Sequence, residues 1–390
     1  MSPPDPGPGG SPPGPPAVAL FNTSFLPYSQ TFVYEEIRQH TRYTVEVFAR
    51  QRQLADRFPF SPVHLGGRMY GVTRRSEAFD ARFTQRGFSL VHAHFGLGAV
   101  YALPFADRYR LPLLVTFHGY DVPLLTSPRR FLPQHLRYAV HGPRVLAEMT
   151  LGLCASRELY DMLVDHGVAP ERLRVHRLGI DVEKFLPGKR SWEVVRVMMV
   201  GRFVEKKGFR YGLEAFAQVA REDSRLRLTM IGDGPEKSLL TRLARKLGVA
   251  DRVEFPGPQS PQRVAALLAT SHVLLAPSVV DREGNRESGL IVVKEASACG
   301  VVPIGTRHGG IPEIIDDGLT GYLVAERDVD TMANRLRRVT ADADLRQLLG
   351  DGARQKMLRE YDNRVRVAAL ETLYDEARAR YAATHPAGEG

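Results

Sequence analysis

Cysteine is nearly absent. The chain of 390 residues has only Cys154 and Cys299, far apart and each in apolar surroundings. That argues against a disulfide framework or a zinc site and suits a reducing cytosol. Long apolar runs are also missing. No stretch approaches the roughly 18 consecutive apolar residues that read as a membrane span, so membrane contact is expected to be peripheral at most. The opening SPPDPGPGGSPPGPP has neither a basic start nor an apolar centre, so residues 1–16 read as a disordered Pro/Gly tail rather than a secretion signal. No G-x-G-x-x-G follows the first apolar run, where FNTSFLP stands instead. This speaks against a nicotinamide-dependent oxidoreductase.

Apolar residues make up 43% of the chain and charged residues 25%, an ordinary soluble composition. The length exceeds one comfortable core and predicts two domains. A net charge of +9 suits an anionic partner such as a nucleotide, nucleic acid or acidic membrane face. An arginine-rich composition alone accounts for the charge equally well.

After residue 16, short apolar runs alternate with longer amphipathic stretches. Residues 18–21, 44–49, 90–94, 113–118 and 151–155 read as strands, with helical patterns at 32–39 and 144–148 among them. A second series begins near residue 194. Its strands are 195–200, 226–231, 253–255, 273–276 and 302–304, and its helices are 209–220, 237–246, 261–269 and 291–298. This alternation predicts an α/β protein of two Rossmann-like, doubly wound parallel domains facing across a cleft. The expected division is 17–188 and 189–365, joined through FLPGKRSW. A helix and tail over 366–390 are expected to pack back toward the first domain. Ligands of such sheets bind beyond the carboxyl ends of the strands, so residues just past each strand carry the functional reading.

After VRVMMV comes GRFVEKKG, where Arg202 and Lys207 place two cations that would neutralise a diphosphate. After LRLTMI comes GDGP, a structural turn or a ligand loop. After RVEF, Pro256 and Gly257 offer backbone groups to a nucleobase edge. After HVLLAPS comes VVDREGNRESGLIVVKEASACG, with Glu287 and Glu295 eight residues apart. Ser288 would cap the following helix, Gly289 would keep its entrance open, and its N–H groups would receive phosphate. The carboxylates would accept hydrogen bonds from sugar hydroxyls, worth roughly 1.5–3 kcal/mol each when buried. Past VVPIG, Gly309 and Gly310 allow close approach of a ligand, and Glu313 opens a short helix. In the first half, LVHAHFG and LLVTFHGYD place histidines at strand ends. His118 could meet a sugar hydroxyl, and His92 and His94 point to one face. No third ligand of suitable spacing accompanies them, so no metal site is expected.

GRFVEKKG, GDGP, the E-x7-E pair and GGIPE, in that order, resemble the "glycosyl transferases group 1" family of retaining enzymes with the GT-B fold. The segments FLPYSQTFVYEEI, HAHFG and HGYD resemble its colanic-acid and amylovoran exopolysaccharide branch, and CASRELYDMLVDHGVAPERLRVHRLGIDVEKF resembles its end-of-domain pattern. The resemblance spans residues 18–375. It implies that Arg202 and Lys207 hold a donor diphosphate, Glu295 the ribose hydroxyls and Glu287 the donor sugar. It further implies that His118 approaches the sugar from the first domain. Gly309, Gly310 and Glu313 would border the sugar pocket, and Gly257 would lie near the base. The loop around residues 29–32 would line the acceptor side. Gln30 stands where the branch carries Glu, and Glu283 lies four residues before Glu287 as a competitor for its role.

The expected activity moves a sugar from a UDP- or GDP-sugar to an acceptor hydroxyl with retention, without metal or cofactor. The acceptor would be a glycan or a lipid-linked glycan. The expected location is cytoplasmic, with possible peripheral contact between Arg129, Arg130, Arg137 and an anionic membrane; nucleic acid is not expected. A nucleotide-sugar epimerase and a non-catalytic partner in glycan assembly are the competing readings.

Overall fold

The computed structural model describes residues 14–27, 30–191, 193–287 and 289–386. Most of the expected N-terminal tail, together with Ser29 and Ser288, lies outside the described residues.

Two parallel sheets organise the chain. The first contains β1 (Ala17–Phe25), β2 (Thr44–Arg52), β3 (Val63–Leu65), β4 (Leu90–His94), β5 (Leu113–Phe117), β6 (Leu151–Cys154) and β7 (Leu173–Val175), in the order β3-β2-β1-β4-β5-β6-β7. The second contains β8 (Val195–Val200), β9 (Leu226–Ile231), β10 (Val253–Gly257), β11 (Val273–Ala276), β12 (Val302–Thr306) and β13 (Tyr322–Val324), in the order β10-β9-β8-β11-β12-β13. Every strand pair in both sheets is parallel. Helices cover both faces, which is why strands such as LVHAH and LLVTF are buried at every position. The strand order reverses between β1 and β4 and between β8 and β11. Those two switch points define where a ligand crevice can open.

Aromatic packing fills the first core. Phe21 stacks on Phe48 at 5.2 Å, and Phe79, Phe83 and Phe105 close around them. The second core is mostly aliphatic, with Val195, Val197, Met199 and Leu213 fully buried beside Phe216. The helix Phe209–Ala220 starts from Gly208 at φ +60°, where any Cβ would collide with the Pro277 carbonyl oxygen. Only glycine lets this helix approach the end of β11.

One first-half helix is longer than its sequence suggests. It runs Pro133–Glu148, not merely 144–148. Pro133 occupies the first turn, where its missing N–H costs nothing, and Pro143 is accommodated inside.

The chain crosses between the domains twice. Ile180 N–H donates to the Tyr361 carbonyl at 2.8 Å, and Asn363 N–H donates to the Ile180 carbonyl at 2.9 Å. From there the helix Asn363–Thr384 lies on the first domain. Its Glu371 accepts from the N–H groups of Thr41 and Arg42, each at 2.8 Å, and Asp375 accepts from the Tyr43 hydroxyl at 2.5 Å.

Candidate functional site

The second domain places its charges around the β8–β11 switch point. Beyond β8, a 3-10 turn at Glu205–Lys207 turns two lysines toward the loop that follows β11. The Nζ atoms of Lys206 and Lys207 each lie 3.0 Å from a carboxylate oxygen of Glu287. The Glu287 side chain is only 12% exposed. Burial pushes its carboxyl up, but the Lys207 and Lys206 ammoniums outweigh that and hold it below the ordinary range. Arg202 is exposed and makes no side-chain hydrogen bond or ion pair among the described residues. The sequence expectation of two cations, Arg202 and Lys207, is therefore modified. Lys206 joins Lys207 on Glu287, and Arg202 projects separately.

Glu287 is fixed from its backbone as well. Its N–H donates to His308 Nε2 at 2.9 Å, while His308 Nδ1 lies 2.7 Å from Glu326 Oε1. Gly309, at φ +54°, packs so tightly that a Cβ would strike the Glu287 carbonyl oxygen. Glycine is needed there for both its conformation and its size. His308 was not singled out from the sequence, although its place two residues past the end of β12 is a signal that could have found it.

Glu295 occupies a different wall. It is half-buried on the helix Ile291–Ala298 and lines a cavity of about 860 Å³ between the domains, with Phe32, Ile180, Lys184 and Pro261. Burial pushes its carboxyl up to about 7. It has no hydrogen-bond or ion-pair partner among the described residues, so its acceptor capacity is available to a ligand. Gly257 ends β10 at φ +75°, and its carbonyl accepts from Gly232 N–H at 3.2 Å. Gly289 packs near Leu178 of the interdomain segment.

Two expectations are corrected, and a third falls outside the described residues. The helix after Glu287 has Leu290 at its N-cap position, and Ser288, expected to cap it, lies outside the described residues. Glu313 does not stand open beside a pocket. Its carboxylate accepts from Arg177 Nε and from the Arg157 N–H, both at 2.6 Å, which ties the domains together. Glu283 pairs with Arg129 at 2.5 Å and is 55% exposed, so it is committed across the interface rather than to the lysines. Gly310 precedes the short helix Ile311–Ile314.

Across the cleft, β5 ends at Phe117 and leaves His118 as the first residue beyond the sheet. Asp121 is buried and accepts from the N–H groups of Gly96 and Gly119, both at 3.0 Å, joining the exits of β4 and β5. His118 Nε2 lies 2.9 Å from His94 Nδ1, and its ring packs on Phe32 and Phe95. Glu36, His92 and His94 bring possible ligand atoms within 4.8 Å of one another. However, His92 has both ring nitrogens engaged, by the Tyr374 hydroxyl and Thr116 Oγ1, each at 2.8 Å. The group is a hydrogen-bonded network rather than an open coordination set.

Comparison with known proteins settles the class. Residues 191–356 match the glycosyl transferases group 1 family, and residues 30–184 match glycosyltransferase family 4. Both halves of the chain thus match glycosyltransferase models, and the chain is a glycosyltransferase. Among curated relatives, it is 28% identical over 362 residues to N-acetyl-alpha-D-glucosaminyl L-malate synthase of Bacillus anthracis, covering 91% of this chain and 88% of that protein. It is also 28% identical to the amylovoran biosynthesis glycosyltransferase AmsK of Erwinia amylovora, over 72% of this chain and 69% of that one. Among solved structures, Anabaena HepE in complex with UDP superposes with a TM-score of 0.75 at 16% identity, covering 93% of this chain and all of HepE. The fold of this glycosyltransferase is thus the GT-B arrangement.

Proposed function

We propose that this glycosyltransferase moves a sugar from a nucleoside diphosphate sugar to an acceptor hydroxyl in the synthesis of a surface polysaccharide. The observation that carries the donor site is the Lys206–Lys207–Glu287 cluster at the β8–β11 switch point. The bond from the anomeric carbon to the diphosphate breaks, and a bond from the acceptor oxygen to that carbon forms on the same face. The acceptor proton passes to the departing phosphate oxygen. Charge building on the diphosphate would draw Lys206, Lys207 and the exposed Arg202, so the chain's own cations supply the stabilisation. Glu287 would then accept from the donor sugar, and Glu295 from the ribose hydroxyls. Relatives named for amylovoran synthesis and structures holding UDP-glucose support this reading. Incubation with UDP- and GDP-sugars, following free nucleoside diphosphate, tests it. Release by the wild type and not by Lys207→Ala is expected; equal release by both would overturn the site.

A lipid-linked acceptor fits the surface of the first domain. The helix Pro133–Glu148 buries Tyr138, Gly142 and Val145 but leaves Leu136 and Val140 exposed on another side. Phe131 is 65% exposed just before it, and Met69 and Val72 are exposed on the helix Gly67–Thr73. Arg137 donates to the Val72 carbonyl at 2.9 Å, which joins the two helices, and Arg130 lies over the Phe131 ring. Apolar side chains interleaved with arginines suit the interface of an anionic bilayer. No described helix is long and apolar enough to cross a membrane. Sedimentation with phosphatidylglycerol vesicles, but not with phosphatidylcholine vesicles, is expected. Loss of that binding in Leu136→Glu/Val140→Glu is also expected; binding unaffected by these changes would contradict it.

A further inference from the structure

We propose that His308 and Glu326 are positioning residues that hold Glu287 at the donor site, with His308 working as a neutral ring protonated at Nδ1. The inference rests on reading Glu287 as a donor-site carboxylate. Both residues act on it from other strand ends.

Three strand ends of the second domain are tied together here. Glu326 follows β13, His308 follows β12, and Glu287 lies in the loop after β11. Glu326 Oε2 accepts from the Val280 N–H at 2.9 Å, and its Oε1 lies 2.7 Å from His308 Nδ1. His308 Nε2 accepts from the Glu287 N–H at 2.9 Å. The His308 side chain is fully buried, so bulk water does not replace either partner. Arg327 closes the knot by donating to the Val280 carbonyl at 2.6 Å and to Glu326 Oε2 at 3.2 Å. Its backbone is left-handed at φ +65°, a costly conformation for a residue with a side chain and one that clusters at functional sites.

The hydrogen bonds assign the ring protons. A backbone N–H only donates, so His308 Nε2 must present a lone pair to Glu287. A neutral imidazole carries one hydrogen, and that leaves it on Nδ1, facing Glu326. Burial pushes the Glu326 carboxyl up, but the hydrogen bonds from His308 and the Val280 N–H, with the Arg327 charge, hold it below the ordinary range. An ionised carboxylate only accepts, so it requires the same Nδ1–H. The two ends of the ring therefore give one answer. A ring protonated on both nitrogens would set Nε2–H against the Glu287 N–H.

Glu287 is thereby held at two points. Its N–H is anchored to β12 and β13 through His308, while its carboxylate reaches Lys206 and Lys207 beyond β8. With the backbone anchored, the carboxylate can exchange its lysines for sugar hydroxyls without a shift of the loop. Partners of this kind commonly set both the tautomer of a histidine and the place of the group it holds.

Full-length protein labelled with ¹⁵N-histidine shows the tautomer without any donor. Long-range ¹H–¹⁵N spectra near neutral pH, assigned with His308→Gln, should show His308 as one tautomer protonated at Nδ1. Glu326→Leu leaves His308 in place and should give a mixture. Activity then separates positioning from stability alone. With the UDP- or GDP-sugar that the wild type turns over, folded His308→Phe should lose about 10²-fold in kcat/KM, the usual result of misplacing a group by about 1 Å. Glu326→Leu should lose activity in the same direction. His308→Gln, whose amide oxygen can stand where Nε2 stands, should recover most of the loss. A wild-type His308 protonated at Nε2 or at both nitrogens overturns the proposal, as does an unchanged kcat/KM in folded His308→Phe or Glu326→Leu. If the wild type turns over no nucleotide sugar, the transferase reading fails, and the spectra still decide the tautomer.

Discussion

The Lys207 ammonium lies 3.0 Å from Glu287 Oε2, so the cation expected to hold a diphosphate is already held by the carboxylate expected to hold the sugar. Without donor, each neutralises the other in a largely buried setting. On the proposed donor site, a diphosphate would compete for Lys206 and Lys207 and would free Glu287 to accept from hydroxyls. Donor binding and the arming of Glu287 would then be one event.

Lys207→Ala should lower kcat/KM by about 10²–10³, the usual consequence of losing one preorganised group that stabilises transition-state charge. Lys206→Ala should cost less if its partner remains. Steady-state rates with a single donor separate the two.

Glu295 makes donor binding pH-dependent. Its carboxyl is raised to about 7 by burial, so below that pH it is protonated and a poorer acceptor. Nucleotide affinity should rise as pH increases through about 7 and level off above it. Glu295→Gln should flatten the profile, measured by calorimetric titration in one buffer series.

The sequence also bears on stability. A raised carboxyl means that the native protein keeps a proton that the unfolded chain releases above its ordinary value of 4.5. The Glu295 contribution to stability is therefore full below pH 4.5 and declines as pH rises toward about 7. Chemical denaturation of wild type and Glu295→Gln across that window should show the wild type losing stability as pH rises, with the gap widening in the variant's favour.

Gly309→Ala should destabilise by about 1–3 kcal/mol, because the backbone is left-handed at φ +54° and the Cβ meets the Glu287 carbonyl. The same change should displace Glu287 and raise the donor KM. Urea unfolding and donor titration read the two effects separately.

The parallel strands were the most legible part of this chain. Val195–Val200, Leu226–Ile231 and Val273–Ala276 read directly from the sequence because both faces of such strands are largely covered, giving mostly apolar runs broken only by Arg196, Arg227 and Thr229. Three-residue edge strands such as Val63–Leu65 and Leu173–Val175 carry too little pattern to stand out. Prolines 133 and 143 disguised a helix of 16 residues. At the site, Lys207 and Glu287 were legible because each follows a strand end. Lys206 was hidden by its neighbour. Glu36 was hidden because its partner, His94, is 58 residues away and only the tertiary fold brings them together. Glu313 follows a strand like the others, yet the docking of Arg177 onto it is a property of the interface and not of the motif.

The most direct measurement is thermal unfolding of wild type and Lys207→Ala with UDP, GDP and ADP. Ligand that binds only the folded state stabilises it by RT ln(1 + [L]/Kd) and so raises the melting temperature. One nucleoside diphosphate should stabilise the wild type by several degrees and leave Lys207→Ala nearly unmoved. Equal stabilisation of both proteins, or none of the wild type by any of the three, would contradict a donor diphosphate bound at Lys206, Lys207 and Glu287.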